Sequence, residues 1–289
     1  MPLPHCYLNG QYLLLEDARV SPLDRAFLFA DAVYEVIPVY GARPFRLRQH
    51  LDRLVRSLTG IGMASPLDHA QWASICAELV GRNGGGDQYL YLQVTRGAEY
   101  GRNHAWPDDL KPTVFAYTSP LAPLSGEALE RGVAAITAAD TRWARRDIKS
   151  TSLLANVMLK KQANRAGAFE AILLEDDHLT EGSSTTVHVL QGGVIHTPPN
   201  GTDILPGTTR SVVEELAPRA GLELRSQPVS EAQLRAAEEI WLAFSTRGVL
   251  PVTSLDGRPV GKGVPGPHFK RMHQAFVDYI AALAGTPPL

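Results

Sequence analysis

Lys149 is the residue whose chemistry stands out first. The chain holds only six lysines among 28 basic residues, and Lys111, Lys160, Lys161, Lys262 and Lys270 all stand where a solvated amine is the plain reading. Lys149 instead follows an isoleucine in "RWARRDIKS" and heads a long apolar helical pattern reaching Gln162. An amine kept near apolar groups and near cations such as Arg145 and Arg146 has its charged form disfavoured. That makes it a usable nucleophile or Schiff-base former. Taken alone, a solvated side chain ahead of a helix explains it equally well.

Other stretches carry chemistry of different kinds. In "LTEGSSTTVHVL", Leu179 to Leu190, Glu181 and Gly182 precede four consecutive hydroxyl residues that begin with Ser183 and Ser184. Glycine permits close backbone approach, hydroxyls and amides hold an anion, and Glu181 suits a protonated ring nitrogen. An ordinary polar turn is the alternative. In "ILPGTTRSVVEEL", Pro206 and Gly207 make a turn and Thr208 and Thr209 open a helix. The free amides and positive end of such a helix attract phosphate, although a simple threonine cap reads the same way. Arg53 in "HLDRL" is a further phosphate candidate or a solvated helix arginine. The loop "GAEYGRNHAWPDDLKP", Gly97 to Pro112, is long for a hairpin connection. The alternation of Arg102 and His104 in it can aim both at one carboxylate. A solvent-exposed flap is the bland alternative.

Composition narrows the partners. A formal net charge of −2 provides no broad basic field for nucleic acid or an anionic membrane, so a small molecule is the default. Cys6 and Cys76 are too few for a disulfide framework and fit a reducing cytoplasm. The N-terminal stretch lacks the basic and apolar regions of a signal peptide, and no apolar run approaches a membrane span. "GKGVPG", Gly261 to Gly266, matches a dinucleotide fingerprint literally, but no strand-then-helix unit with a downstream acid fits in the remaining chain. No zincin or nucleophile-elbow motif is present.

These residues must be positioned by mixed elements. Short strands with an Asn-Gly turn lead to a helix with Leu47, Leu51, Leu54 and Leu58 on one face, then to a second helix near 67–80 and two further strands. Strands and helices do not alternate strictly, which predicts an α+β fold. "PLAPLSGEALE" carries no periodicity and reads as a linker. The expected organisation is a small domain over 1–119, a linker over 120–130 and a larger domain over 131–289 that holds Lys149.

Taken in order, "DRAFLFADAVYE", "HLDRL", "QVTRG", "RNH", "RWARRDIKS", "LTEGSSTTV" and "LPGTTR" resemble the fold-type IV pyridoxal-phosphate-dependent aminotransferases over most of the chain, about Tyr7 to Val260. The resemblance implies that Lys149 is the lysine that binds pyridoxal 5′-phosphate covalently. A guanidinium cannot do this, because it stays protonated. It implies also that Glu181 pairs with the ring nitrogen, and that Arg53, Thr208 and Thr209 hold the phosphate. Ser245 and Thr246 form a hydroxyl pair near the cofactor, with Ser183 and Ser184 in the loop beside Glu181.

Within that family the D-amino acid branch is the most similar. There a tyrosine and an Arg-x-His pair trap the substrate α-carboxylate, the pair reaching in from the neighbouring subunit; here these are Tyr34, Arg102 and His104. The implied activity transfers an amino group from a D-amino acid, with D-alanine the expected donor, to a 2-oxo acid, with 2-oxoglutarate the expected acceptor and D-glutamate the product. A homodimer is implied with it. A branched-chain L-amino acid transaminase, an (R)-selective amine transaminase or aminodeoxychorismate lyase on the same scaffold is the alternative. A departure from the pattern is that Ala30 and Ala32 flank Asp31 where the family usually carries glycines, which bears on substrate preference.

Overall fold

The computed structural model of the chain describes residues 1–122 and 125–284. Residues 123 and 124 of the expected linker, and the C-terminal stretch 285–289 expected to fray, lie outside the described residues. The chain divides into two units: Met1–Ala122 together with Ile148–Leu153, and the remaining described residues. Two expectations change here. Residues of the expected linker, Gly126–Arg131, are helical, capped by the Ser125 side chain at Ala128 N. Lys149, expected in the second domain, groups with the first unit.

The first unit comprises β1 (His5–Leu8), β2 (Gln11–Leu14), α1 (Arg25–Phe29), β3 (Ala32–Tyr40), β4 (Arg43–Pro44), α2 (Leu47–Gly60), α3 (His69–Arg82), β5 (Gln88–Thr95) and β6 (Thr113–Pro120). Its strands form an antiparallel sheet in the order β2-β1-β6-β5-β3-β4. Asn9 and Gly10 both take positive φ at the first hairpin, as a tight turn between right-twisted strands requires. Helices α2 and α3 pack a core of Leu54, Leu58, Trp72 and Leu79 onto the sheet. The two-residue period of β3 sends Val33, Ile37 and Val39 into that core and carries Glu35, fully buried, with them.

The second unit comprises α4 (Gly126–Arg131), β7 (Val133–Ala139), α5 (Leu154–Arg165), β8 (Glu170–Glu175), β9 (His178–Gly182), β10 (Thr186–Gln191), β11 (Val194–Thr197), α6 (Thr208–Arg219), β12 (Glu223–Ser226), α7 (Glu231–Arg235), β13 (Glu239–Phe244), β14 (Gly248–Leu255), β15 (Arg258–Pro259) and α8 (Pro267–Ala284). Its nine-stranded sheet runs β12-β11-β10-β13-β14-β7-β8-β9, with β15 paired to β14. Parallel pairs occur at β11/β12, β14/β7 and β7/β8 and antiparallel pairs elsewhere, so the fold is α+β. The helix expected at Lys149 begins later, at Leu154. Residues 261–266 form a loop, in keeping with the dismissal of a dinucleotide site there. Among the described residues no helix is long and apolar enough to cross a membrane.

Candidate functional site

Backbone bonds, not a helix, pin Lys149. Tyr34 N donates to Lys149 O at 3.0 Å, and Thr151 N donates to Ala32 O at 3.0 Å. Val33 and Ser150 form an antiparallel bridge between these two bonds. From α2, Ser57 Oγ accepts Lys149 N–H at 3.1 Å. These bonds hold the half-buried lysine side chain over β3. Its Nζ lies 3.4 Å from Tyr34 Oη and 4.4 Å from the Tyr34 ring centroid. Among the described residues Nζ makes no ion pair, which leaves an amine available for covalent chemistry. Arg145 and Arg146, the cations nearest in sequence, are paired instead with Asp147 and Glu175.

Arg53 lies on the buried stripe His50–Arg53–Ser57 of α2, which follows the helical 3–4 spacing. Its Nε and Nη2 donate to the two oxygens of Glu35 at 2.7 and 2.8 Å, and His50 Nδ1 lies 2.7 Å from Glu35 Oε2. Burial by itself would raise the Glu35 carboxyl, but Arg53 and then His50 outweigh it and hold it far below its usual range. Burial keeps His50 in its neutral form more readily than usual, so its Nδ1 carries the proton donated to the carboxylate. Glu35 was missed in reading the sequence, yet it had a signal: an acid at a core-facing position of an alternating apolar strand.

Arg102 and His104 lie exposed in the β5–β6 loop. Both pack against Phe29 of α1, Arg102 Cζ at 5.0 Å from the ring centroid and the His104 ring at 5.4 Å. Among the described residues, neither side chain bonds to Lys149 or Tyr34 of its own chain. The structure therefore brings Lys149, Tyr34 and Arg53 to one strand and helix, and leaves the Arg-x-His pair on a separate loop.

In the second unit Glu181 is the penultimate residue of β9, buried, with Oε1 accepting from Arg142 Nη1 at 2.5 Å and Oε2 from Leu205 N at 3.2 Å. Arg142 is shared. Its Nε and Nη2 also hold Asp140 at 2.9 and 2.6 Å, and Thr180 Oγ1 donates to Asp140 at 2.7 Å. Burial pushes Glu181 up and Arg142 only partly opposes it, so this carboxylate lies above its usual range. A second cationic donor is electrostatically welcome there. Gly182 is required beside it, since a Cβ would come 2.1 Å from Thr185 Oγ1. The Ser183 and Ser184 hydroxyls, expected to serve a cofactor, both donate to the fully buried Glu170. These bonds brace the loop.

Helix α6 begins at Thr208 with Gly207 as its cap, and no side chain caps it. The amides of Thr208 and Thr209 thus open a twelve-residue helix at its positive end. Ser245, in the β13–β14 turn with Thr246, places its Oγ 3.3 Å from Thr208 Oγ1. Helix amides plus clustered hydroxyls make an anion cradle of the kind that phosphate occupies.

The chain is similar to known proteins over most of its length. The family model for the amino-transferase class IV matches residues 32–255. The chain is 42% identical over 272 residues to the D-alanine aminotransferase of Bacillus licheniformis, covering 94% of this chain and 95% of that protein. It is 34% identical over 279 residues to the D-alanine aminotransferase of Listeria monocytogenes serovar 1/2a, covering 96% of each. Among solved structures it resembles the branched-chain amino acid aminotransferase of Escherichia coli, with TM-score 0.89 and 28% identity over 96% of this chain and 95% of that one. It also resembles the T.th. branched-chain amino acid aminotransferase with pyridoxamine 5′-phosphate, with TM-score 0.90 and 27% identity over 98% and 95% of the two chains.

Proposed function

The chain belongs to the class IV aminotransferases, a family of pyridoxal-phosphate enzymes, and on that premise we propose that it transfers the amino group of a D-amino acid, D-alanine foremost, to a 2-oxo acid such as 2-oxoglutarate. The observation that carries this reading is the 3.4 Å approach of Lys149 Nζ to Tyr34 Oη. It sets a proton-transferring amine beside a hydroxyl able to hold a substrate carboxylate.

Each unit taken by itself holds groups that suit a part of the cofactor: in the first, Lys149 as attachment point and Arg53, oriented by Glu35, as a cation for phosphate; in the second, the α6 N-terminus with Thr208, Thr209, Ser245 and Thr246 as an anion cradle. Glu181, raised by burial beyond what Arg142 offsets, suits a protonated pyridine nitrogen. Bound there, pyridoxal phosphate supplies the aldehyde that condenses with an amine and the ring that accepts electron density when the α-proton leaves.

The protein's own groups do the rest. Displaced by the incoming amino group, Lys149 Nζ would be the base that takes the substrate α-proton and the acid that returns it. Tyr34 and the Arg102/His104 pair hold the carboxylate, so only one enantiomer turns its α-hydrogen to Lys149. Arg102 and His104 pack against Phe29 and, among the described residues, bond to neither Lys149 nor Tyr34 of their own chain, which supports their delivery by a second copy in a homodimer. Exposed apolar side chains offer it surface: Phe27 and Tyr100 in the first unit, Leu154, Val157 and Met158 in the second.

The branched-chain reading draws on the structural neighbours alone. One experiment separates the two. Holoenzyme is mixed with D-alanine, L-alanine or L-leucine, and the cofactor absorbance is followed through a single half-reaction. Conversion to the pyridoxamine form by D-alanine alone is expected. Conversion by L-leucine alone overturns the D-amino acid assignment while keeping the family.

A further inference from the structure

The loop that carries Arg102 and His104 is anchored by charged residues that bond to neither Lys149 nor Tyr34. Asp31, in the short link between α1 and β3, accepts from Arg25 Nε at 2.9 Å and from Arg96 Nε at 2.7 Å. Arg25, 3% exposed, reaches onward from this carboxylate to the loop. Its Nη1 donates to Glu99 Oε2 at 2.8 Å and to the Asn103 carbonyl at 2.7 Å, and its Nη2 to the His104 carbonyl at 3.1 Å. Arg96 donates to the Ile61 carbonyl at 2.7 Å and lays its guanidinium 3.9 Å from the Trp106 ring centroid. The loop is therefore gripped at Glu99, at both carbonyls bracketing the His104 peptide, and at Trp106.

We infer that Asp31 is the positioning residue of this loop: by joining Arg25 to Arg96 it holds Arg102 and His104 where a substrate carboxylate is received. The inference rests on the proposed carboxylate trap. Its physical ground is charge balance. Two buried guanidinium groups meeting at one carboxylate repel each other once that carboxylate is neutralised, and each grips a different part of the loop. Burial would raise the Asp31 carboxyl, yet the bonds from Arg96 and Arg25 hold it below its usual range, in line with an acid charged throughout turnover. Sub-ångström misplacement of a carboxylate clamp is costly to catalysis, whereas the cofactor-holding groups make no bond to Asp31.

The test uses holoenzyme carrying Asp31→Asn or Trp106→Ala, the second altering only the exposed end of the grip. Three quantities are read: KM and kcat for D-alanine, the cofactor absorbance band, and the amide hydrogen exchange of residues 99–106. KM is expected to rise about tenfold or more in Asp31→Asn, less in Trp106→Ala, with faster exchange in that loop and an unchanged cofactor band. General loosening of the fold would instead weaken the band together with kcat. Should Asp31→Asn not fold, Trp106→Ala decides alone. Unchanged KM in the folded variants, with Arg102→Ala raising it, overturns the role of Asp31 and leaves the trap standing. Unchanged KM in Arg102→Ala itself overturns the trap, and with it the consequence inferred for Asp31.

Discussion

Glu35 on β3 and Glu181 on β9 are both buried carboxylates bonded to an arginine, yet their acidities move in opposite directions. Glu35 receives two bonds from Arg53 and one from His50, so attraction exceeds the cost of burial. Glu181 receives one bond from Arg142, whose other donors hold Asp140, so burial prevails. An arginine's value to an acid depends on how many other acids it serves. In the first unit the acid serves the arginine, fixing the plane of Arg53. In the second the arginine serves the acid, holding Glu181 in place with part of its charge still uncompensated and open to a further cation.

The largest effect expected from this contrast is on stability. Glu35→Gln removes the charge that Glu35 sets against the buried Arg53 guanidinium and should cost about 3–5 kcal/mol in urea unfolding of the apoprotein. The matching Glu181→Gln should cost under about 1 kcal/mol, because its amide oxygen can still accept a bond and Arg142 keeps Asp140. Equal losses in the two variants would erase the distinction.

Activity should reverse the order of the pair. Glu181→Gln is expected to slow the D-alanine half-reaction about 100-fold or more, on the scale of losing one preorganised charge contact. Stopped-flow absorbance measures it. A rate within a few fold of the parent would remove Glu181 from the chemistry.

The pH dependence of stability sharpens the comparison further. The Glu35 carboxyl is depressed in the folded state, so its contribution is fully present above the ordinary value of about 4.3 and declines as pH falls toward the folded value. The stability gap between parent and Glu35→Gln should therefore narrow in acid. Glu181 is raised, so its ionised form opposes folding, an effect that grows as pH rises from the ordinary value through the folded one. Glu181→Gln should gain on the parent over that interval. Urea midpoints from pH 3 to pH 8 test both signs.

The smallest effect concerns backbone strain beside Asp31. Ala30 ends α1 at φ +55°, in the left-handed region that glycine occupies without cost. Ala30→Gly should stabilise the apoprotein by up to about 1 kcal/mol, offset in part by the greater freedom of glycine in the unfolded chain. Destabilisation in thermal melts would mean that the Ala30 methyl packs usefully, and that charge alone does not set the geometry around Asp31.

Local pattern made much of the fold legible. The Asn-Gly turn, the leucine face of α2 and the start of α6 after Pro-Gly all appear where spacing predicts them, because turns, periodicity and caps depend on neighbours in the chain. The course around Lys149 was not legible. An apolar run suggested a helix, but bonds to Tyr34, Ala32 and Ser57 hold the lysine in extended chain, and α5 exposes Leu154, Val157 and Met158. Nor was the partner of Ser183 and Ser184 legible, since both hydroxyls donate to Glu170, 13 and 14 residues earlier in the chain.

By itself the sequence determined the chemical inventory: one lysine unlike the others, an acid before a hydroxyl run, a Pro-Gly turn leading into two threonines at a helix start, and an alternating Arg/His loop. Only the tertiary structure decided which charges meet. Arg53 finds Glu35 across 18 residues, Arg142 finds Glu181 across 39, and Arg25 finds the His104 carbonyl across 79. The energy of a charge depends on its burial and on the counter-charges within hydrogen-bond reach, and both are properties of packing that spacing along the chain does not carry.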